Sequence, residues 1–247
     1  MRVLTKSALI ATLSLVISGA TVALAKTSSV SADGWQATFS EPTNRYGHAV
    51  LGNTPEWGKL CLSGKGKEAC VVLPKRSVFE DIAPRLVDVD RDGKPEAVVV
   101  ESDMDLGAAL AVYDLKGNDL RKIAAPNIGT SNRWLAPFAI GDLNGDGSIE
   151  IAYIDRPHVA RILRVWSYQN DSLVELASKP GLTNHKVGQA FISGGLRDCG
   201  DGPEMITADA KWRNIVSSRL IKGSIESKVL APFTGVASFE PILACQK

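Results

Sequence analysis

Three stretches of this chain recur at one fixed interval, and that interval constrains what everything else can fold into. They are L-V-D-V-D-R-D-G-K-P-E-A-V-V-V from Leu86, I-G-D-L-N-G-D-G-S-I-E-I-A-Y-I from Ile140 and G-G-L-R-D-C-G-D-G-P-E-M-I-T-A from Gly194. Their anchor glutamates Glu96, Glu150 and Glu204 are spaced 150 − 96 = 54 and 204 − 150 = 54. An equal, ungapped spacing marks a repeat architecture, in which each unit buries its apolar face against its neighbour.

Each unit reads as four short strands. In the second copy these are Leu135–Ile140, Ile149–Ile154, Val159–Tyr168 and Leu173–Ala177, and in the first Ile82–Val87, Ala97–Glu101, Ala109–Tyr113 and Asp119–Ile123. Short β-branched and aromatic runs punctuated by Gly, Pro, Asn and Asp are strand-and-turn signals, and no stretch carries a convincing helical period. A four-stranded antiparallel unit at this period predicts an all-β β-propeller. A two-sheet β-sandwich with two similar hairpin loops is the plainer alternative.

The first residues predict export. Arg2 and Lys6 precede an apolar stretch from Ala8 to Ile17, and Ala23-Leu24-Ala25 supplies small residues at a cleavage site. That is a secretory signal peptide over residues 1–25, with an apolar core too short to span a bilayer. The remaining 247 − 25 = 222 residues, divided by 54, give about four blades in one domain over 26–247. The repeats run approximately 33–80, 81–134, 135–188 and 189–247, the first a diverged copy with L-G-N-T-P-E-W in place of the Asp-rich loop. Trp35–Ser40 is the candidate N-terminal strand for closing the last blade. Without Arg2 and Lys6 the chain has 26 basic against 27 acidic side chains. Nothing in that balance favours nucleic acid or anionic lipid as a bulk partner, and no second segment is apolar and long enough for a membrane span. Periplasm is the first expectation for location, the extracellular medium the second.

Cys61, Cys70, Cys199 and Cys245 all lie in the exported part, where an even count favours disulfides. Cys61 and Cys70 flank a Gly/Lys-rich hairpin tip, which suggests a cross-strand bridge and leaves Cys199 for Cys245. Four cysteines allow three connectivities, and the other two stay open. A zinc site is disfavoured because no Cys-x₂₋₄-Cys pair occurs.

Asp88, Asp90, Asp92 and Glu96 occupy positions 1, 3, 5 and 9 of one loop, with Gly93 at position 6. Asp142, Asn144, Asp146 and Glu150 repeat the pattern around Gly147. Calcium takes six to eight hard oxygens at flexible geometry, and alternate residues of a tight loop aim their oxygens inward where Gly permits a positive φ. The third copy has Leu196, Asp198 and Gly200 at positions 1, 3 and 5, so no calcium is expected there. An EF-hand would need position 12 to be Glu, whereas Val99 and Tyr153 stand there. These loops resemble the calcium loops of the FG-GAP/VCBS repeat family, the blades of integrin-α-type propellers. The resemblance covers about Phe79 to Ala208 and implies Ca2+ bound by the eight matching residues. The glutamates depart from the Asp more usual at position 9. It also implies a calcium-stabilised binding or adhesion module, here a small exported bacterial one.

In an antiparallel four-stranded unit the calcium loops share one face, and second-to-third loops and unit connections share the other. On that second face gather Thr43–Tyr46, Phe79–Asp81, Ser131–Trp134 and Thr183–Lys186, together with Asp103, Asp105, Asp155–His158 and Asp209–Arg213. Arg45, Arg133, Trp134, Asp155, His158, His185 and Trp212 are the candidate ligand-binding residues, for a protein or glycan ligand. The same residue types also suit ties between units. The enzymatic alternative is a periplasmic hydrolase or lyase in which His158 and His185 work with Asp155 or Asp209. No Gly-x-Ser-x-Gly elbow, His-Glu-x-x-His helix or phosphate loop supports it, so no catalytic residue is assigned.

Overall fold

The structure, a computed structural model, describes residues 26–246; the signal peptide expected at residues 1–25 lies outside them. The chain begins with an antiparallel meander of β1 (Ser28–Ala32), β2 (Trp35–Thr43), β3 (Glu56–Gly64) and β4 (Lys67–Val72). A short strand, β5 (Ser77–Phe79), touches β3 through the single pair Trp57–Phe79 and then pairs with β7. The next meander is β6 (Arg85–Val87), β7 (Glu96–Asp103), β8 (Gly107–Lys116) and β9 (Asp119–Ala124). Through β5 the two meanders form one nine-stranded sheet.

A separate four-stranded sheet follows, β10 (Leu135–Gly141), β11 (Glu150–Asp155), β12 (Ile162–Gln169) and β13 (Ser172–Pro180). The last sheet has five strands: β14 (Leu182–Thr183), β15 (Gly195–Asp198), β16 (Pro203–Asp209), β17 (Asn214–Ile221) and β18 (Ser224–Pro232). The fold is all-β apart from a 3-10 turn at Val236–Ser238 and one turn of helix, α1 (Phe239–Leu243). The strands read from the second copy therefore form, each within a few residues of its expected place. The helix was missed because five residues are too few to show a period.

The uninterrupted apolar runs have a packing cause. Successive side chains of a strand face opposite sides, so a run such as A-V-V-V is stable only when both sheet faces are covered. On β7, Ala97 and Val99 pack toward Trp57, Leu60 and Phe39 of the N-terminal meander. Val98 and Val100 face the other way, onto Leu135, Ile151 and Tyr153. On β11 the alternation repeats, with Ala152 and Ile154 turned to Met205 and Val216 of the last sheet. Phe39 and Phe79, both fully buried, stack with centroids 5.2 Å apart, and each such burial contributes about 2 kcal/mol.

The two ends of this stack differ. Ile206, Ala208 and Ile215 on the far face of the last sheet are covered by Phe239 of α1, with Phe233 and Leu243 alongside. The far face of the first meander carries half-buried or exposed residues such as Gln36, Thr38 and Cys70. Trp35–Ser40 consequently does not close the last sheet: it lies within β2 and pairs with β1 and β3. A second correction concerns L-G-N-T-P-E-W. Leu51–Pro55 lie between β2 and β3, at the end of the meander opposite the Asp-rich loops, and Glu56 and Trp57 open β3. The β1–β2 turn Asp33-Gly34 holds the place equivalent to those loops.

That β2–β3 loop, residues 44–55, fills the middle of the molecule. Val50 and Leu51 join the core made by Val98, Leu135 and Ile151, and the Gly188 N–H donates to the Val50 carbonyl at 3.1 Å. Gly52, with φ +63°, passes so close to Gly188 that a Cβ would lie 2.6 Å from its carbonyl oxygen; only glycine fits there. Two disulfides complete the fold. Cys61–Cys70 links directly opposed residues of β3 and β4, and Cys199–Cys245 ties the segment after α1 to the third loop.

Candidate functional site

The first two acidic loops share one hydrogen-bond pattern, offset by a single repeat. The N–H at position 6 donates to the position-1 aspartate, Gly93 to Asp88 at 3.0 Å and Gly147 to Asp142 at 2.9 Å. Position 5 donates to position 3, Asp92 to Asp90 and Asp146 to Asn144. Position 7 donates to position 5, Lys94 to Asp92 and Ser148 to Asp146. Position 2 donates to the glutamate, Val89 to Glu96 and Leu143 to Glu150, both at 2.8 Å. The backbone thus holds one oxygen of these side chains and fixes where the other points.

In the first loop the free oxygens converge. Asp88, Asp90 and Glu96 each bring an oxygen within 4.8 Å of the others. Asp88 Oδ1 and Glu96 Oε1 are buried without any hydrogen-bond partner. Unpaired buried carboxylate oxygens are costly. Burial, with the charges of Asp90, Asp114 and Asp88 behind it, pushes the Glu96 carboxyl up to about 8. Lys94 Nζ lies 2.7 Å from Asp92, and Lys116 Nζ lies 2.8 Å from Asp114, 3.8 Å from Asp92 and 3.9 Å from Asp90. Three converging carboxylates with two buried unpaired oxygens fit a hard divalent cation by donor type and by charge.

The second loop has the same frame with less charge. Asn144 replaces an aspartate, and its Nδ2 donates to Asp146 at 2.9 Å and reaches Glu150 at 3.5 Å. Burial, with Asp146 and Asp142 nearby, raises Glu150 to about 7, against an opposing pull from Arg91 of the first loop. The third loop resolves the same glutamate differently. Arg197 Nε donates to Glu204 at 2.8 Å, Ser217 Oγ donates at 2.8 Å, and Lys228 Nζ lies 3.1 Å away. Burial pushes Glu204 up, yet Ser217, Arg197 and Lys228 outweigh it and hold the carboxyl down at about 2. Asp198 there accepts from the Gly200 and Gly202 N–H groups and closes the turn on itself.

On the opposite end the seven candidate ligand residues part company. Arg45 donates through Nε to the Ser77 carbonyl at 3.1 Å and braces a connection. Trp134 is buried, donating to the Glu80 carbonyl at 2.8 Å, and Asp155 is buried between Arg156 and Arg164. Trp212 packs on Phe233 with Lys186 above its ring at 4.7 Å. His185 is buried against Trp134. The expected pairing of a histidine with Asp155 or Asp209 does not form. His158 Nε2 instead meets His185 Nδ1 at 2.9 Å, and Asp209 is occupied by the N–H groups of Lys211 and Arg213 and by Asn214. Asp103 is likewise taken, by Arg76.

Arg133, Trp134 and His158 do converge, on a cleft of ≈ 180 Å³ also lined by His48, Asn132, Arg156 and Val159. Sequence reasoning missed His48 and its partner. His48 Nδ1 lies 2.6 Å from Glu80 Oε1, and Ser102 Oγ donates to the other Glu80 oxygen at 2.6 Å. Burial raises the Glu80 carboxyl above the usual range while His48 and Ser102 draw it back. Glu56 fixes the loop by accepting the N–H groups of Tyr46, Gly47 and His48. Neither residue belongs to the repeating motif, so periodicity carried no signal for them. The F-E-D segment around Glu80 was noticed only as a connection.

Residues 88–153, which contain both acidic loops, match the model of a family described as FG-GAP-like repeat. No curated protein matches the chain.

Proposed function

We propose, for a chain whose residues 88–153 belong to the FG-GAP repeat family, an exported, calcium-stabilised, propeller-like binding module without catalytic activity. Four blade-like meanders stacked face to face suit a propeller geometry, with the 44–55 loop occupying its middle. The observation that carries the calcium reading is the pair of buried, unpartnered oxygens, Asp88 Oδ1 and Glu96 Oε1, aimed into a loop of four carboxylates. A bound Ca2+ would be held there by Asp88, Asp90, Asp92 and Glu96, and in the second loop by Asp142, Asn144, Asp146 and Glu150. It would supply charge compensation and rigidity, not chemistry on a substrate. Extracellular calcium sites commonly bind at ~0.1–1 mM, which suits a structural ion in an exported compartment. Two disulfides agree with export, and among the described residues no helix is long and apolar enough to cross a membrane.

The ligand face is the end opposite these loops, and its ligand class is a protein or a carbohydrate. Exposed Val159 lines the charged cleft beside Arg133 and Arg156, the mixture of apolar and cationic groups that recognition surfaces use. Thermal unfolding with calcium and with chelator tests the ion. At ~1 mM calcium and a ~0.1 mM site, native protein gains about 1.4 kcal/mol, and Asp88→Ala loses most of that gain. Equal melting of native protein in calcium and chelator would reduce the loops to turns.

A further inference from the structure

We propose that the cleft between His48, Asn132, Arg133, Arg156 and His158 binds a small organic carboxylate. The inference rests on the reading of this end as the ligand face and names the chemistry of its occupant. The first support is Arg133. Its guanidinium lines the cleft half-buried and donates only to the Asn132 carbonyl, at 2.8 Å. Among the described residues it has no carboxylate within ion-pair distance, unlike Arg156 in the same cleft.

Arg156 is the second. Its Nε and Nη2 are held by Asp155 at 2.7 and 2.9 Å, and Arg164 holds Asp155 from the other side. The guanidinium plane is thereby set before any ligand arrives, leaving Nη1 to donate. His48 is the third. Glu80 takes Nδ1, itself fixed by Ser102, so the ring is oriented and its Nε2 has no partner among the described residues. A histidine backed by a buried carboxylate is held in one orientation.

His158 sets the polarity. His185 Nε2 lies 2.9 Å from the Gln189 carbonyl, which only accepts, so that nitrogen bears hydrogen. His185 Nδ1 then accepts from His158 Nε2, and both rings are neutral with His158 Nδ1 left as an acceptor. Burial, reinforced by His185, lowers His158 to about 4 and agrees with that state. Among the lining side chains the unpaired charge is Arg133's single unit, since Asp155 pairs with Arg156. One positive charge with the N–H donors of Arg133 and Arg156 matches a monoanionic carboxylate better than a phosphate dianion. The ≈ 180 Å³ of space holds one acidic unit, with Trp134 as an apolar wall.

Titration of full-length mature protein by NMR tests this, reading the imidazole signals of its three histidines. The added probes are acetate, D-glucuronate and, as an uncharged control, D-glucose, each at constant ionic strength and with calcium present. Saturable shifts of His48 and His158 by both acids and none by glucose are expected, and Arg133→Gln weakens them at least tenfold. Tighter binding of glucuronate assigns the occupant to sugar acids; equal binding assigns it to small free acids. Absence of a saturable shift, or unchanged affinity in Arg133→Gln with its calcium melting gain intact, overturns the proposal. A cleft that fails while native protein still captures a ligand on this end leaves the module reading standing. A cleft that titrates normally without any calcium response does the reverse.

Discussion

The first and third loops keep the same glutamate at the start of the same strand and surround it with opposite charge. Glu96 has Asp88, Asp90 and Asp92 about it and an oxygen without a partner; Glu204 has Arg197, Arg219 and Lys228. Both glutamates are buried. A carboxyl buried at this corner of the sheet keeps its proton unless positive charge reaches it. The third loop supplies it from the chain, and the first leaves the place open. The position-2 residue marks the difference: Arg197 brings its own cation to Glu204, whereas Val89 brings none to Glu96, where the proposed calcium would have to supply it.

The sharpest way to break this comparison is to remove the built-in cation. Arg197→Ala strands Glu204 with weaker partners and is expected to cost about 2–3 kcal/mol, in calcium and in chelator alike, by denaturant titration. A loss that calcium restores would mean that the third loop binds the ion too. Next in size is the effect of pH. Glu96, at about 8 in the folded protein against about 4.3 unfolded, binds its proton more tightly when folded. Without calcium, stability should therefore fall as pH rises from the unfolded value through 8. Glu204, held at about 2, runs the other way, its contribution complete above the unfolded value and lost as pH falls toward 2. Glu96→Gln should flatten the upper window in chelator and abolish the calcium gain. Melts that leave the upper window unchanged would refute the burial cost at Glu96. The smallest effect is expected of Arg91→Gly. Arg91 has φ 61° where the second loop has Gly145 at 80°, and relieving it should add about 0.5–1 kcal/mol. A destabilised variant would show that Arg91's charge near the second loop matters more than its strain.

The sequence made part of this legible for physical reasons. A repeat of 54 residues fixes equivalent backbone environments, so the strands of each copy and the paired Asp-rich loops followed from one alignment. The disulfide partners followed because hairpin geometry puts Cys61 opposite Cys70. Illegible were the contacts made once only. His48 meets Glu80 because a long loop crosses the centre of the stack, and no period reports such a crossing. The candidate ligand set rests on residue type at the end opposite the acidic loops. Type alone did not separate Trp134, which is interior, from Arg133, which is not.

The unlike ends of the stack carry a further consequence. One end is sealed by α1 and clamped by Cys199–Cys245; the other meets water through the polar side of the first meander. A row of units finished differently at its two ends lengthens or shortens without damage only from within. Duplicating one interior period would preserve both finished ends, whereas deleting residues 233–246 would bare Ile206, Ala208 and Ile215 to solvent. The short helix thus serves as a cover for an apolar sheet face that no further unit among the described residues packs against.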